Sequence, residues 1–570
     1  MDDSNKNNLL NKILFEAKAY NSFEDIEKLV DSGTKLTSIP IQPLYVSLIS
    51  SSSSQLAEII PKLSKEQRQA FIDLDLWRKD IVDPSSFEYW LEAYSRITDD
   101  DINKEFATSE DFYLYLKSRV TIQTFDTEDP MYPDHDYYFL TDDMLLLVEY
   151  GEDYQYPNEL KTIIKHMYYH LGVEGAYTTL FKLINDSYSA IQEEGFQNKK
   201  ERLREYGFVD HFEAMEKLHP FVSVGQIKKL IKSKSSRTGV IDVRAQNQSL
   251  HSSALVSFNV DMEKILIELA KVKSDQRKQF LHFTFIRLIN SSITLKDALK
   301  AGRIELTKIG AHTRSYLDIG LDFIKGEIAE DEVIFDRFDF FDIYKIGSSL
   351  ISIEKKRLNK ALKGKTFEQE SFDYFVGTWW RSFLDNSFEE IPRIKNFGVG
   401  LHAQYIKDIV TFSFWQKQVS LFVSMSPFIE EFAKTFVKLK EEDKLQDSYY
   451  INYNVDEIDF EAIIISSFIN YSLKPVNGQM GKLGLTISEF KQFTGEQFTL
   501  VGAELNLKMA TDNELAKLLN EFSSTYGLNE VEDFQVYLYG ILYENLSGYE
   551  YDTLTDDDFE HVGGPILLSI

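Results

Sequence analysis

LAEIIPKLSKEQRQAFIDLDLWRKDIVDPSSFEYWLEAY, Leu56 to Tyr94, is the stretch in which helix starts, helix stops and apolar spacing agree. Leu56, Ile59 and Ile60 share one helical face, and Pro61 stops the run because it lacks an N–H and cannot continue the ladder. Ser64 with Gln67 three positions on forms a capping-box pattern, which opens a helix that buries Phe71 and Leu74. Asp83 as N-cap with Pro84 at the first helical position opens the next. Phe87, Trp90, Leu91 and Tyr94 then fall at i, i+3, i+4 and i+7, a single apolar stripe. Helices this short must bury their stripes against neighbours, which predicts stacked helical hairpins.

Working outward, residues 10–31 predict a helix and a half, with Ser22 opening the run that carries Ile26, Leu29 and Val30. Pro40 and Pro43 mark a looser segment, and the serine run 50–54 reads as a loop. After Tyr94, Thr98 and Ser109 are the expected caps of two further helices, the second burying Phe112, Tyr115 and Leu116. Between 118 and 150 the period changes: YYFLT and MLLLVEY flank Asp142 and Asp143, the pattern of a small hairpin or meander. Leu160, Ile163, Ile164 and Met167 resume helical spacing, and EEGFQNKKERLREYGF follows as a charged stretch.

Further helices are expected over 265–270, 280–288, 295–306, 314–323 and 335–362, around Trp379 and Trp380, over 404–439 with a break at Pro427, and over 512–523 and 531–546. The fold class that results is mainly α, an irregular superhelix or bundle with a small β insertion. A prior of roughly 150 residues per domain divides 570 residues into three or four units. The expected limits are 1–230 for a helical domain, 231–253 for a polar, Ser-rich linker, 254–445 for a second helical domain and 446–570 for a C-terminal region of helices with some strand.

Composition narrows the function classes. Hydrophobic residues make up 43%, which suffices for sizeable cores, and 91 acidic against 62 basic residues give a formal charge of −29. A field of that sign repels nucleic acid and anionic lipid at long range. Without cysteine there is no disulfide, thiol catalysis or Cys-ligated zinc. The opening residues carry Asp2, Asp3 and Glu16 and no apolar core of secretory type, and 409–425 is interrupted by Gln416, Lys417 and Gln418. A cytoplasmic setting without a membrane span is therefore expected.

Motifs of chemistry are sparse. His166 and His170 stand four apart on a predicted helix, the spacing at which two imidazoles share a metal, but no Glu follows His166 as a zinc protease requires. Asp99, Asp101, Asn103, Glu105 and Glu110 occupy calcium-loop positions 1, 3, 5, 7 and 12, with Lys104 where the turn needs Gly; the same acids suit helix N-termini. Gly364, Lys365 and Thr366 match the end of a Walker loop whose first glycine is replaced by Asn359, and Gly398 with Gly400 forms a glycine pair without a phosphate-binding continuation. Two basic islands interrupt the acidic chain, Lys355 to Lys365 and the run of Lys228, Lys229, Lys232, Lys234 and Arg237. The second is the candidate docking surface for an acidic partner.

FIDLDLWRKDIVDPSSFEYWLEAY (71–94), the TDD turn at 141–143, ERLREYGFVDHFEAMEKL (201–218), YLDIGLDF (316–323) and FFDIYKIGSSL (340–350) together resemble an uncharacterised bacterial family of large helical proteins, a domain of unknown function. The resemblance spreads over roughly residues 55–360 and implies no activity and no catalytic residues. EIIPKLSKEQRQAFIDLDL (58–76) is similar to the helical repeats of magnesium-transporter cytosolic domains and flagellar motor switch proteins, which implies only a superhelical fold.

These readings lead to an expected cytoplasmic scaffold or regulatory protein that binds other proteins, without a cofactor. The alternative is an enzyme or small-molecule binder whose site assembles from distant residues such as His166, His170 and His211. Catalytic residues and oligomeric state are not legible.

Overall fold

The structure, a computed structural model, describes residues 23–39, 41–234, 263–301, 303–394, 403–445, 454–473, 484–501, 504–507, 513–547, 551–560 and 566–568. Helices dominate, and the sheets have only two or three strands. Among the described residues, no helix is long and apolar enough to cross a membrane.

The first elements are α1 (Phe23–Asp31), α2 (Ile41–Leu48), α3 (Ser53–Ile59) and α4 (Lys65–Asp75). Two of these correct the expected loops. Pro43 is tolerated in the first turn of α2, where its missing N–H would have no partner in any case. Ser52 is no loop residue but the N-cap of α3, in a capping box with Gln55. Pro61 sits in a 3-10 turn, Ile60–Lys62, and the Ser64–Gln67 box opens α4 as expected.

A short hairpin follows, β1 (Trp77–Arg78) and β2 (Ile81–Val82), paired antiparallel. Then come α5 (Pro84–Ser95), α6 (Asp100–Ala107) and α7 (Glu110–Arg119). Phe87, Trp90, Leu91 and Tyr94 are all buried on α5. The cap of α6 is Asp99 rather than Thr98: its carboxylate accepts the N–H groups of Asp101 and Ile102, both at 3.1 Å. The calcium-like acids thus serve a helix start. Strands β3 (Val120–Thr124), β4 (Tyr138–Leu140) and β5 (Leu146–Tyr150) form an antiparallel sheet in the order β3-β5-β4, the expected insertion. Helix α8 (Pro157–Asn185) is kinked at Gly172, whose φ of 71° lies in the left-handed region. It is followed by α9 (Tyr188–Glu205) and α10 (His211–Leu218).

The chain continues through α11 (Val224–Ser233), α12 (Glu263–Ala270), α13 (Asp275–Leu295), α14 (Arg303–Glu327), α15 (Ile334–Arg337) and α16 (Phe340–Leu362). Of the helix expected over 295–306 only the last turn is helical, as the start of α14 at Arg303, because α13 ends at Leu295 and Asp297 turns the chain with φ 50°. Next are α17 (Thr378–Phe388), β6 (Arg393–Ile394), β7 (Gln404–Tyr405), α18 (Ile409–Glu441), α19 (Phe460–Leu473) and α20 (Ile487–Gln497). Helix α18 starts at its Asp408 cap, five residues later than expected, and runs unbroken past Pro427. The Val423 carbonyl, which Pro427 cannot serve, receives a long hydrogen bond from the Ser426 hydroxyl at 3.5 Å. The hairpin β8 (Phe498–Val501) and β9 (Glu504–Leu507), α21 (Asn513–Thr525) and α22 (Phe534–Leu546) complete the order.

The chain forms two compact units. Among the described residues, the first draws on those within 1–219, 233–314 and 328–345, the second on those within 220–232, 315–327 and 346–570. The core of the first includes Tyr45, Phe71, Phe87, Trp90 and Tyr115, with Tyr94 stacked on Phe106 at 3.9 Å. In the second, Trp380 packs against Phe422 and Tyr537, each at 5.0 Å. The described end of the chain, residues 566–568, docks there, with the Leu567 N–H on the Ser466 hydroxyl. Of the expected linker only 231–234 lie among the described residues, and there α11 ends.

Candidate ligand-binding site

Helix α4 ends in two acids that its apolar pattern does not announce. Asp73 and Asp75 are both buried, in the last turn, where the helix dipole disfavours negative charge. Each needs compensation, and the two face different partners. Asp73 receives a two-pronged bond from Arg202 of α9, Nε at 2.8 Å and Nη2 at 2.6 Å. Asp75 accepts the Tyr45 hydroxyl and the Trp90 indole N–H, both at 2.5 Å, and pairs with Lys300 at 2.7 Å. Beside Asp73, Gln69 donates to Asp111 at 2.6 Å. Burial, and then the proximity of Asp73, push the Asp111 carboxyl up to about 7.

The β1–β2 hairpin lies against α9. Gly195 makes room for it, since a Cβ there would stand 3.3 Å from the Trp77 ring. Phe196 packs on Trp77 at 5.8 Å, and Gln192 donates to the Asp80 carbonyl at 2.9 Å. One turn on, the half-buried Lys199 places its amine 5.3 Å from the Trp77 ring centre and 5.5 Å from that of Phe196, and donates to the Lys79 carbonyl at 3.3 Å. Removal from water lowers this lysine to about 8, against the pull of Asp73, Asp210 and Asp80.

The remaining walls come from α10, α13 and the turn after α13. Asp210 caps α10 through the N–H groups of Phe212 and Glu213 and pairs with Lys200 at 3.0 Å. Burial raises its carboxyl, but those N–H groups and Lys200 outweigh it and hold the group below the usual range. Asn290 joins the segments, accepting from Gln42 at 2.8 Å and donating to the Gly207 carbonyl at 2.7 Å. Lys300 reaches the Ser86 hydroxyl at 3.2 Å. Together these groups enclose a cavity of about 290 Å³ within the first unit, walled also by Phe208, Leu203, Ile293 and Leu299.

Of the histidines singled out from sequence, His211 stands on this wall, whereas His166 and His170 of α8 do not. His166 is lowered by burial and then by its neighbour His170. Among the described residues, no group of three or more His, Asp and Glu side chains converges as a metal site would need.

The basic run is partly committed within the chain. Lys228 pairs with Glu327 at 2.7 Å and Lys234 with Asp342, while Lys229 and Lys232 are exposed; Arg237 lies outside the described residues. In the Walker-like segment the Thr366 N–H and hydroxyl both bond Glu430, at 2.8 and 2.9 Å, so a carboxylate stands where a phosphate would. Gly398 and Gly400 lie outside the described residues.

The cavity groups were missed because α9 reads as a plain charged stretch. The available signals were two acids at the end of an otherwise apolar helix and the spacing of Gln192, Gly195, Phe196, Lys199 and Arg202 along one face.

A family described as of unknown function, DUF6178, matches residues 9–396, a span that contains the whole cavity wall. No curated protein and no solved structure matches the chain. The likeness of residues 58–76 to magnesium-transporter and flagellar motor switch repeats finds no support in these comparisons.

Proposed function

The chain belongs to the DUF6178 family of unknown function, and we propose that it binds a small molecule in the cavity of its first unit. The observation that carries this reading is convergence: charged side chains from α4, the β1–β2 hairpin, α9, α10 and the turn after α13 meet around one apolar-walled space. Its volume is at the lower end of the range for ligand pockets, roughly 300–1,000 Å³. A thermal-shift screen of small metabolites on the full chain and on Thr294→Trp, which fills the cavity, tests it. At least one compound should raise the melting temperature of the wild type and not of the variant, because a ligand bound only to the folded state stabilises by linkage. A screen in which every shift is shared by both proteins contradicts the proposal.

A second reading, a scaffold that binds other proteins, draws support from Tyr169, Leu171 and Val173, exposed apolar side chains flanking the Gly172 kink. Cross-linking from Lys165 or Lys182 in native cells should then yield a recurrent partner that Val173→Lys abolishes. Unchanged capture by the variant counts against this surface.

A further inference from the structure

Resting on the cavity reading above, we infer that the ligand is a small organic anion, one carboxylate or phosphate on a flat apolar body, and that Lys199 is the group that meets the anion.

Charge assignment around the cavity singles out one end. Asp73 and Asp210 already hold cations, Arg202 and Lys200, and Lys300 is held by Asp75. Among the described residues, Lys199, Arg78 and Lys79 have no carboxylate within ion-pair distance. They cluster at the hairpin and the adjoining turn of α9. Among the described residues two further acids of the wall lack an ion pair: Asp83, which follows β2 directly and accepts the Ser86 hydroxyl at 3.4 Å, and Asp297, three residues before Lys300. With Asp80 in the loop and Asp83 at its foot, the three cations Arg78, Lys79 and Lys199 still outnumber the acids, so the hairpin end is net cationic.

Asp73, Asp210 and Asp80 act on the desolvated Lys199 ammonium only from beyond ion-pair distance, and an incoming anion in direct contact supplies what the fold withholds. One N–H of Lys199 is spent on the Lys79 carbonyl, which fixes the amine and leaves two for a ligand. Lys79 itself has φ 62° at the first position of a two-residue hairpin loop, where glycine is the ordinary occupant. A lysine held there at a conformational cost fits selection for its charge. Trp77 and Phe196 offer aromatic surface beside the Lys199 amine, and Phe208 lines the same cavity. The space, about 290 Å³, equals roughly ten waters at ~30 Å³ each, which suits a ligand of benzoate or phenyl phosphate size.

Isothermal titration of the full chain with benzoate, phenyl phosphate, inorganic phosphate, benzyl alcohol and benzylamine tests this. Benzoate or phenyl phosphate should bind at least about tenfold more tightly than benzyl alcohol, and the stronger of the two identifies the anion. Lys199→Met should remove about tenfold of that affinity and leave benzyl alcohol unchanged. Should that variant fail to fold, the lysine side-chain NMR titration of the wild type serves: the Lys199 midpoint should rise when benzoate saturates the site. Lys79→Gly should weaken the anions while raising the melting temperature. Benzyl alcohol or benzylamine binding as tightly as the anions, with the binding lost in Thr294→Trp, overturns the anion inference and keeps the cavity. Inorganic phosphate binding as tightly as phenyl phosphate overturns the apolar body. No binding of any probe at about 10 mM, a free energy weaker than about 3 kcal/mol, overturns the cavity reading as well.

Discussion

Replacing Arg202 by Met isolates the ion pair that holds Asp73, a residue of the cavity wall. Arg202 reaches Asp73 at 2.6 Å, and Asp73 is fully buried. The pair Arg96–Glu92 has the same 2.6 Å separation, but its arginine is half exposed. Distance alone predicts equal costs; burial predicts unequal ones. Removing one partner of a buried pair leaves an uncompensated charge and costs about 3–5 kcal/mol, whereas an exposed pair contributes about 0.2–1 kcal/mol. Among the described residues Asp73 would keep one hydrogen bond, from Gln69 at 3.3 Å, in a last helical turn where the dipole adds to the penalty. Asp73→Asn in the Arg202→Met background removes the stranded charge, so the double variant should recover at least about 2 kcal/mol relative to the sum of the singles. The chain has two units, so a global melting curve need not be two-state. Amide hydrogen exchange of α4 and α9 gives the local free energy instead. Equal effects of Arg202→Met and Arg96→Met, or additivity of the two cavity substitutions within about 0.5 kcal/mol, would refute the reasoning.

Other substitutions follow from the same structure. The Asp111 carboxyl, raised to about 7, binds its proton more tightly in the fold than in the unfolded chain, where an aspartate titrates near about 3.9. Its contribution to stability is therefore present in acid and lost as pH rises from about 4 through 7; Asp111→Asn should flatten that decline in denaturant midpoints measured from pH 5 to 8, and an unchanged slope contradicts it. In the second unit, Gly377 has φ 92°, and a Cβ there would lie 2.4 Å from Cγ of Glu461, which accepts the Trp379 N–H at 2.8 Å. Gly377→Ala should cost about 2–5 kcal/mol, from left-handed strain plus displacement of that buried carboxyl acceptor, read as lost exchange protection in α17; a loss under about 1 kcal/mol would count against the contact.

Local signals carried most of the helical reading. Ser64 with Gln67, Asp83 with Pro84, and the Phe87–Trp90–Leu91–Tyr94 stripe are decided within one or two turns, so adjacent residues suffice. Rules about residue type failed where position within the element decides: Pro43 and Ser52 look like loop residues and instead lie in the first turn of one helix and at the cap of another. The β1–β2 hairpin was invisible because its strands have two residues each and its loop places lysine where glycine is usual. For the cavity the obstacle was distance. Asp73 and Arg202 are 129 residues apart, and each alone looks like an ordinary solvated charge. Histidine spacing on α8 drew attention to His166 and His170, whereas the titratable groups that converge are lysines and aspartates.

The most direct test of the central claim is a crystal structure of the full chain with phenyl phosphate. The ligand should occupy the cavity of the first unit, with a phosphate oxygen about 2.7–3.2 Å from the Lys199 amine and the ring beside Trp77 and Phe208. A ligand seated instead at the exposed Lys229 and Lys232, with the cavity holding only water, would contradict it.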